Sequence, residues 1–338
     1  EVRLCLEGAA VVAERHSTRD QTRIWNNLAW FYATHDLKGA EERAIEALDL
    51  VRRRGRRSQE AVFADTLMLP LRLAGRLEEA ERVGDDVLGS VTSEIEGSSA
   101  ICCQLALIAA MRGRTDRARE RLERAAALES SSSAEMRATF AMGRSIVELE
   151  EGDPRAALEA ALRAIGDGLT SSGPAADPVR ECIPIAVDAA LSLGAPGEVE
   201  PVVAELSSRP PGELPPFVRA QLRRARILLA AAGRAGSGAD ADLPAVDVER
   251  ELSAVIAAFT ELSYPYWVGR AELDLAEWLA TEGRTGEAAG HAGEAARIFD
   301  ELGTPSMMAR ADAIGTPPAS APTPADSPRL AESAVRPR

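Results

Sequence analysis

The sequence predicts an all-α fold, an array of about seven antiparallel helix pairs. Three observations predict it: a turn-like motif recurs about every forty residues, an apolar face at helical spacing follows each turn, and small side chains are abundant. Hydrophobic residues make up 46% of the chain but aromatic residues only 4%. Small side chains let helices approach closely, so this composition favours helix-on-helix packing.

The recurring motif is a glycine followed five residues later by a small apolar residue. Its anchor positions are 35, 75, 113, 152, 194, 233 and 283, and all of them except His35 are glycine. The spacings between them are 40, 38, 39, 42, 39 and 50 residues. Glycine suits the left-handed residue that ends one helix, and the polar residues that follow it suit the start of the next helix.

The second helix of each pair begins after the anchor. Positions 5, 9 and 12 after the anchor share one helical face, and in the six clear repeats all eighteen of these residues are apolar or glycine. They are Ala40, Ala44, Ala47, Ala80, Gly84, Val87, Ala118, Leu122, Ala125, Ala157, Ala161, Ala164, Val199, Val203, Leu206, Ala288, Ala292 and Ala295. We expect this face to be buried within the pair, and each pair to cover its apolar stripe with its neighbours.

The first helix of each pair precedes the anchor. These helices are predicted over 21–34, 59–74, 98–112, 134–151, 179–193, 216–232 and 267–282. Together they form one solenoid over 1–314, in which 1–16 is the second helix of a truncated preceding repeat and 235–247 is a loop insertion. A short capping helix is predicted over 307–314, and the Pro/Ala-rich segment 315–338 is predicted to be disordered because it has few large apolar side chains.

Two segments carry a family resemblance. Residues 75–88 (GRLEEAERVGDDVL) and 152–165 (GDPRAALEAALRAI) resemble the tetratricopeptide repeat. The resemblance implies a right-handed α–α superhelix of tetratricopeptide-like pairs whose first helices line a concave groove.

A broader resemblance concerns the parent protein. Residues 7–30 and 294–313 are similar to the helical C-terminal regions of large bacterial signalling ATPases, which carry either a class III nucleotide cyclase domain or a LuxR-type DNA-binding domain. No helix-turn-helix pattern follows position 314, which favours a cyclase- or ATPase-type parent. The catalytic residues of such proteins lie in other domains, so none is assigned to this chain.

Composition argues against several classes of partner and site. Acids outnumber bases by 53 to 39, for a net charge of −14, which argues against nucleic acid. The single lysine, Lys38, does not follow a glycine-rich loop, and no 18-residue apolar run predicts a membrane span. The four cysteines and three histidines lack metal-ligand spacing, so we expect no cofactor or metal and free thiols in a reducing cytoplasm.

The candidate binding residues are aromatic or basic. Six aromatic candidates belong to first helices or immediately precede one, and there they either form a ligand platform or fill gaps between alanine-rich helices. They are Trp25, Trp30, Tyr32, Tyr266, Trp267 and Trp278. In the basic run 52–57, Arg53 and Arg56 either grip an acidic partner or offset the dipole at the end of a helix.

These observations predict a non-catalytic protein-interaction or regulatory module. Its carboxylate pairs sit near helix N-termini, where negative charge is stabilised, and no nucleophile–base pair is evident. The expected partner is a protein or peptide segment, including an effector domain of the same parent chain. The alternative is a superhelix that senses a small-molecule inducer for a transcriptional regulator, and the sequence leaves the choice open.

Overall fold

The computed structural model describes residues 2–16, 21–33, 36–55, 57–90, 96–237 and 247–315. Within these ranges the chain forms sixteen α-helices and four short 3-10 helices, and no β-strand occurs in them. The predicted all-α fold is confirmed. None of the helices in these ranges combines the length and the hydropathy that a membrane-spanning helix needs.

Seven helix pairs follow one another along the described chain. The first helices are α2 (Gln21–Ala33), α4 (Arg57–Leu73), α6 (Glu96–Met111), α8 (Ala134–Glu150), α10 (Asp177–Ser192), α12 (Pro216–Ser237) and α14 (Pro265–Thr281). The second helices are α3 (Leu37–Arg53), α5 (Leu77–Ser90), α7 (Thr115–Arg124), α9 (Pro154–Ser171), α11 (Glu200–Ser207), α13 (Val248–Glu261) and α15 (Thr285–Leu302). Helix α1 (Val2–His16) packs before them on α2, and α16 (Pro305–Gly315) packs after them on α15.

The predicted second-helix face is buried throughout. All eighteen residues at positions 5, 9 and 12 after the anchors are buried in the structure. Caps position two of these helices, because the carboxylates of Asp36 and Asp153 each accept a hydrogen bond at 3.0 Å from a backbone N–H in the first turn. The repeat register read from the sequence is therefore the register of the structure.

Five of the seven predicted turn anchors are confirmed, the anchor at 233 is wrong, and His35 lies outside the described residues. The glycines at 75, 113, 152, 194 and 283 are left-handed, with φ between 64° and 84°. Gly233 instead lies inside α12, which continues to Ser237, so the predicted turn at 233 and the predicted start of a loop at 235 are wrong. Alanine-rich flanks favour the helix, and an interior glycine costs only about 1 kcal/mol. Most of the predicted loop and tail lie outside the described residues, which exclude 34–35, 238–246 and 316–338.

The last helix pair returns to the first ones. The Tyr264 hydroxyl donates a buried hydrogen bond of 2.9 Å to the backbone carbonyl of Ala33, 231 residues away. A Cβ atom built on Gly75 would clash with Leu302, and one built on Gly113 would lie 2.9 Å from Pro305. Pairs that are distant along the chain therefore contact one another in addition to their neighbours. The array curves enough for α14, α15 and α16 to contact the turns that end α2, α4 and α6.

A pair of glycine variants measures this end-to-end contact. Gly75→Ala and Gly152→Ala place alanine at similar left-handed backbones, which costs about 1–2 kcal/mol in each case. Only Gly75 has Leu302 and Pro265 in the way, whereas nothing lies within 4 Å of a Cβ at Gly152. We expect Gly75→Ala to cost about 1–3 kcal/mol more in urea unfolding and to increase amide exchange in α14. Equal losses of stability in the two variants would show that the close contact of Gly75 with Leu302 and Pro265 does not affect the free energy of unfolding.

Candidate functional site

A cavity of about 790 Å³ opens on the concave side of the array. Its walls are the first helices α2, α4, α6 and α8, together with the segment 171–178 that leads into α10 and the segment 212–215 before α12. Cavities of this size are typical of ligand-binding pockets. Because five successive helix pairs contribute to the walls, the cavity belongs to the array and not to any single repeat.

A set of three polar residues, here called the polar ladder, lies along this wall. Asn26, Thr66 and Gln104 each stand nine residues before their anchor, so the repeat places them at equivalent positions of α2, α4 and α6. The Thr66 hydroxyl and the Asn26 side-chain oxygen form a short hydrogen bond. The ladder therefore runs from helix to helix across the cavity wall.

Gln104 is the member of the polar ladder whose side-chain oxygen lacks a hydrogen-bond partner among the described residues. Its side chain is only 4% exposed, within the apolar stretch 101–111 of α6. Its Oε1 atom is buried and has no hydrogen-bond partner in the described part of the chain. A buried acceptor left unpaired costs about 1–3 kcal/mol, so this atom marks a place where a ligand donor would be stabilising.

Asp65 adds a carboxylate next to the ladder. It precedes Thr66 on α4 and lines the cavity, and its Oδ1 atom is buried without a partner among the described residues. Burial raises the pKa of Asp65 from 3.8 to about 6; Arg72 opposes this shift, and Glu135 of α8 adds to it. Burial in the folded protein thus disfavours the ionised form of Asp65, although this residue lines the cavity.

The remaining walls are acidic and apolar. The charged residues that line the cavity are Asp65, Glu135, Asp177 and Glu213, and no basic residue is among the described lining residues. Large apolar contacts come from the side chains of Trp30, Phe31, Met136 and Met142.

A buried ionic network, here called the floor, adjoins the cavity, and one of its members, Asp177, lines the cavity. Arg180 pairs with Asp177 and, at 3.0 Å, with Glu181, which also accepts from Arg72 at 3.0 Å. The side chains of Arg72 and Arg180 are each 2% exposed. The Arg180 guanidinium also lies over the Trp30 ring, 5.8 Å from its centroid.

A second buried ionic network connects α10 to α12 and α14 of the last two helix pairs. Asp188 accepts from Arg224 of α12 at 3.1 Å and from Arg270 of α14 at 2.6 Å, while Arg224 also donates to Asp274 at 2.9 Å. Burial alone would raise the pKa of Asp188, but Arg270 and Arg224 hold it below its usual range. A small inner cavity of about 40 Å³ lies between the two networks.

The structure does not place the six predicted aromatic residues in one common site. Trp30 alone among them lines the large cavity. Trp25 and Trp278 are half-buried against the core, and the Tyr32 hydroxyl donates to Glu7 of α1 at 2.5 Å.

Tyr266, Trp267 and the two arginines lie elsewhere. Tyr266 and Trp267 line the small inner cavity and pack edge-to-face, with Trp267 also against Phe217. Arg53 is exposed at the end of α3, a second helix, and Arg56 lies outside the described residues.

Sequence reasoning missed the polar ladder, although the sequence contains a signal for it. The signal is a polar residue at one repeat position of three successive first helices whose surroundings are apolar. The ionic floor has no comparable signal, because Arg72 and Glu181 are 109 residues apart.

The other reactive side chains do not form a second centre in the described residues. No group of three or more His, Cys, Asp or Glu residues there is placed to hold a metal ion. The thiols of Cys102, Cys103 and Cys182 are buried, and Cys5 is exposed. Burial raises the pKa of the Cys182 thiol to about 12, which keeps it protonated and unreactive at neutral pH.

Comparison with known proteins finds distant structural likenesses. No protein-family model matches the sequence, and no curated protein matches it. A Rap protein complexed with competence and sporulation factor is 13% identical, with 75% of this chain and 69% of that chain covered and a TM-score of 0.47. BtubC (BKLC) from P. vanneervenii is 14% identical, with 88% and 99% covered and a TM-score of 0.37. Both scores lie below 0.5, so neither neighbour bears on the function of this chain.

The raised pKa of Asp65 predicts a pH-dependent gain in stability for Asp65→Asn. Because the folded pKa of about 6 exceeds the ordinary 3.8, ionisation of Asp65 destabilises the native protein progressively as pH rises from about 4 to 6. Asparagine does not titrate, so we expect the variant to be about 1–3 kcal/mol more stable at pH 7.5 and to lose this gain near pH 4. Chemical unfolding at both pH values measures it, with exposed Asp86→Asn as the control. A gain that does not change with pH would contradict the assignment.

Removing the shared carboxylate of the floor tests the ionic network. Glu181→Gln leaves Arg72 and Arg180 buried beside a neutral partner, and we expect a loss of about 3–5 kcal/mol in urea unfolding. Glu181→Leu combined with Arg72→Met should recover part of this loss, since fewer charges remain unpaired. Glu198→Gln breaks an exposed pair with Arg155 and should change stability much less. A loss from Glu181→Gln no larger than that from Glu198→Gln would show that the network is not stabilising.

Proposed function

We propose that this chain is a non-catalytic binding module whose concave cavity receives a short peptide or chain segment. The observation that carries the proposal is the buried, unpartnered Oε1 atom of Gln104 on the cavity wall, at the end of the polar ladder. Such an atom raises the free energy of the unliganded protein, and a donor from a ligand would remove that cost.

The arrangement of the ladder favours an extended segment as the ligand. Asn26, Thr66 and Gln104 belong to three successive first helices, and packed helices have axes about 8–10 Å apart. An extended chain offers N–H and C=O groups about every 3.3 Å, so it can meet polar groups on several helices at once. Trp30 and Phe31 then offer contact area for the side chains of the segment.

The closed shape of the array supports a regulatory role. Small rotations between stacked repeats add up along a solenoid, so a ligand held by four or five pairs changes the position of its ends. Here the ends already meet, through the Tyr264 hydrogen bond to Ala33 and the contact between Leu302 and the turn at Gly75. We infer that occupancy of the cavity alters this end-to-end contact and thereby reaches an attached partner domain.

The parent protein is proposed from resemblance alone. Residues 7–30 and 294–313 resemble the C-terminal regions of bacterial signalling ATPases and nucleotide cyclases. On that basis the module is the sensor or scaffold region of a cytoplasmic bacterial signalling protein, and its partner includes an effector domain of the same chain.

The second candidate function is the sensing of a small-molecule inducer. It is favoured by the size of the cavity, which has a volume of about 790 Å³. That volume falls within the range of small-molecule pockets. A metabolite that stabilises the protein, with no peptide doing so, would select this function over peptide binding.

A cavity-filling variant tests the proposed function. Ala100 lines the cavity, so Ala100→Trp should fill part of it, whereas Ala257→Trp adds the same side chain at an exposed position of α13. We expect the native chain to retain a subset of a random pentapeptide pool in affinity selection read by mass spectrometry. Ala100→Trp should retain at least about tenfold less and Ala257→Trp the same amount, because the added indole occupies the ligand's space. Equal retention by all three proteins would place peptide binding outside the cavity.

A further inference from the structure

The cavity wall carries carboxylates, Asp65 and Glu135, that form no ion pair with a described residue. Of its four carboxylates, Asp177 pairs with Arg180 in the floor, whereas Glu213, in the short 3-10 helix before α12, and Glu135, at the start of α8, are both exposed. Asp65 is half-buried, and Glu135 is the carboxylate close enough for its charge to act on Asp65. The guanidinium of Arg72, on the same helix as Asp65, is already engaged by Glu181.

Among the described residues that line the cavity, the unmet hydrogen bonds are all those of acceptors. The Oε1 atom of Gln104 and the Oδ1 atom of Asp65 are both buried and without a partner in the described ranges. Neutral donors such as a hydroxyl or an amide would complete these bonds but would leave the carboxylate charge uncompensated. An ammonium group with three N–H donors, or a guanidinium group with five, meets both needs.

The apolar lining fits the remainder of such a ligand. Met136 follows Glu135 directly on α8, and Met142 lies two turns further along the same helix on the cavity wall. Lysine and arginine side chains, like free amines, carry an aliphatic stem next to their charged group, and stems of this kind pack against flexible apolar surfaces.

We propose that the cavity selects a ligand bearing an ammonium or guanidinium group, held by Asp65, Glu135 and the side-chain oxygen of Gln104. The inference rests on the proposed function, since it names the chemistry of the ligand that the cavity receives. The cationic group belongs either to a basic side chain of the bound segment or to a free organic amine, and the two sources share this recognition chemistry. Neutral and acidic segments of the same length are disfavoured, because they leave the charges of Asp65, whose Oδ1 atom is buried, and of the neighbouring Glu135 uncompensated.

Three matched peptide pools and one amine test this selectivity. The pools are random pentapeptides that differ only in a fixed central residue, which is Arg, Gln or Glu, and the amine is spermidine. We expect affinity selection followed by calorimetric titration to show the Arg pool enriched at least about tenfold over the Gln pool, with the Glu pool weakest. Binding should also weaken as salt is raised from about 50 to 500 mM, because partly exposed charges are screened.

Two isosteric variants locate the selectivity in the cavity. Asp65→Asn and Glu135→Gln each remove one charge without changing shape, and each should reduce the preference for Arg over Gln by about tenfold. Asp86→Asn removes a charge from the exposed face of α5 and should leave the preference intact. Loss of preference in all three variants would indicate a general effect of net charge and would overturn the assigned site.

The outcomes separate this inference from the function on which it rests. Equal or stronger binding of the Gln or Glu pool would overturn the cationic selectivity and leave peptide binding in the cavity standing. Binding of spermidine without any peptide would keep the cationic selectivity and replace the segment by a small amine. Failure of the native chain to retain any of the three pools or spermidine would overturn both proposals.

Discussion

The structure depends on the pairing of charges that α10 buries. This helix carries Asp177, Arg180 and Glu181 near its start and Asp188 near its end, and all of them lie inside the array. Leaving such a group unpaired costs several kcal/mol, so each must find a partner of opposite charge. Glu181 finds Arg72 of α4, and Asp188 finds arginines of α12 and α14. These partners come from pairs before and after α10, which ties distant parts of the array to one central helix.

The same pairings separate the large cavity from the interior around the last helix pairs. The floor around Arg180 closes one end of the concave space, and the aromatic residues Tyr266 and Trp267 fill the region beyond it. The return of α14 to the first pairs is completed by the hydrogen bond between Tyr264 and Ala33. A site of about 790 Å³ is left at the other end, where first helices from five successive pairs face one another.

The cavity is a place where this repeat fold gives up part of its own stability. The polar ladder places Gln104 in a helix whose neighbouring positions are apolar, and the adjacent wall position on α4 carries Asp65, whose charge is disfavoured by burial. Natural chains depart from a locally consistent pattern mainly at functional sites. Two departures from the apolar pattern of these helices, Gln104 and Asp65, lie on the same cavity wall, and each has a buried acceptor atom without a partner among the described residues.

The sequence by itself determined the helix pairs, five of their turns and the buried face of the second helix in the six clear repeats. These features are local: glycine at 75 or 152 ends a helix through its own backbone freedom, and residues three and four apart meet on one face. The polar ladder was also readable, since its members keep a fixed distance from the anchors. Only the tertiary structure decided that Trp30 faces the cavity, that Trp267 is buried elsewhere and that Arg72 meets Glu181. Those outcomes depend on curvature, the sum of small rotations at every interface between pairs, and no short segment of sequence encodes that sum.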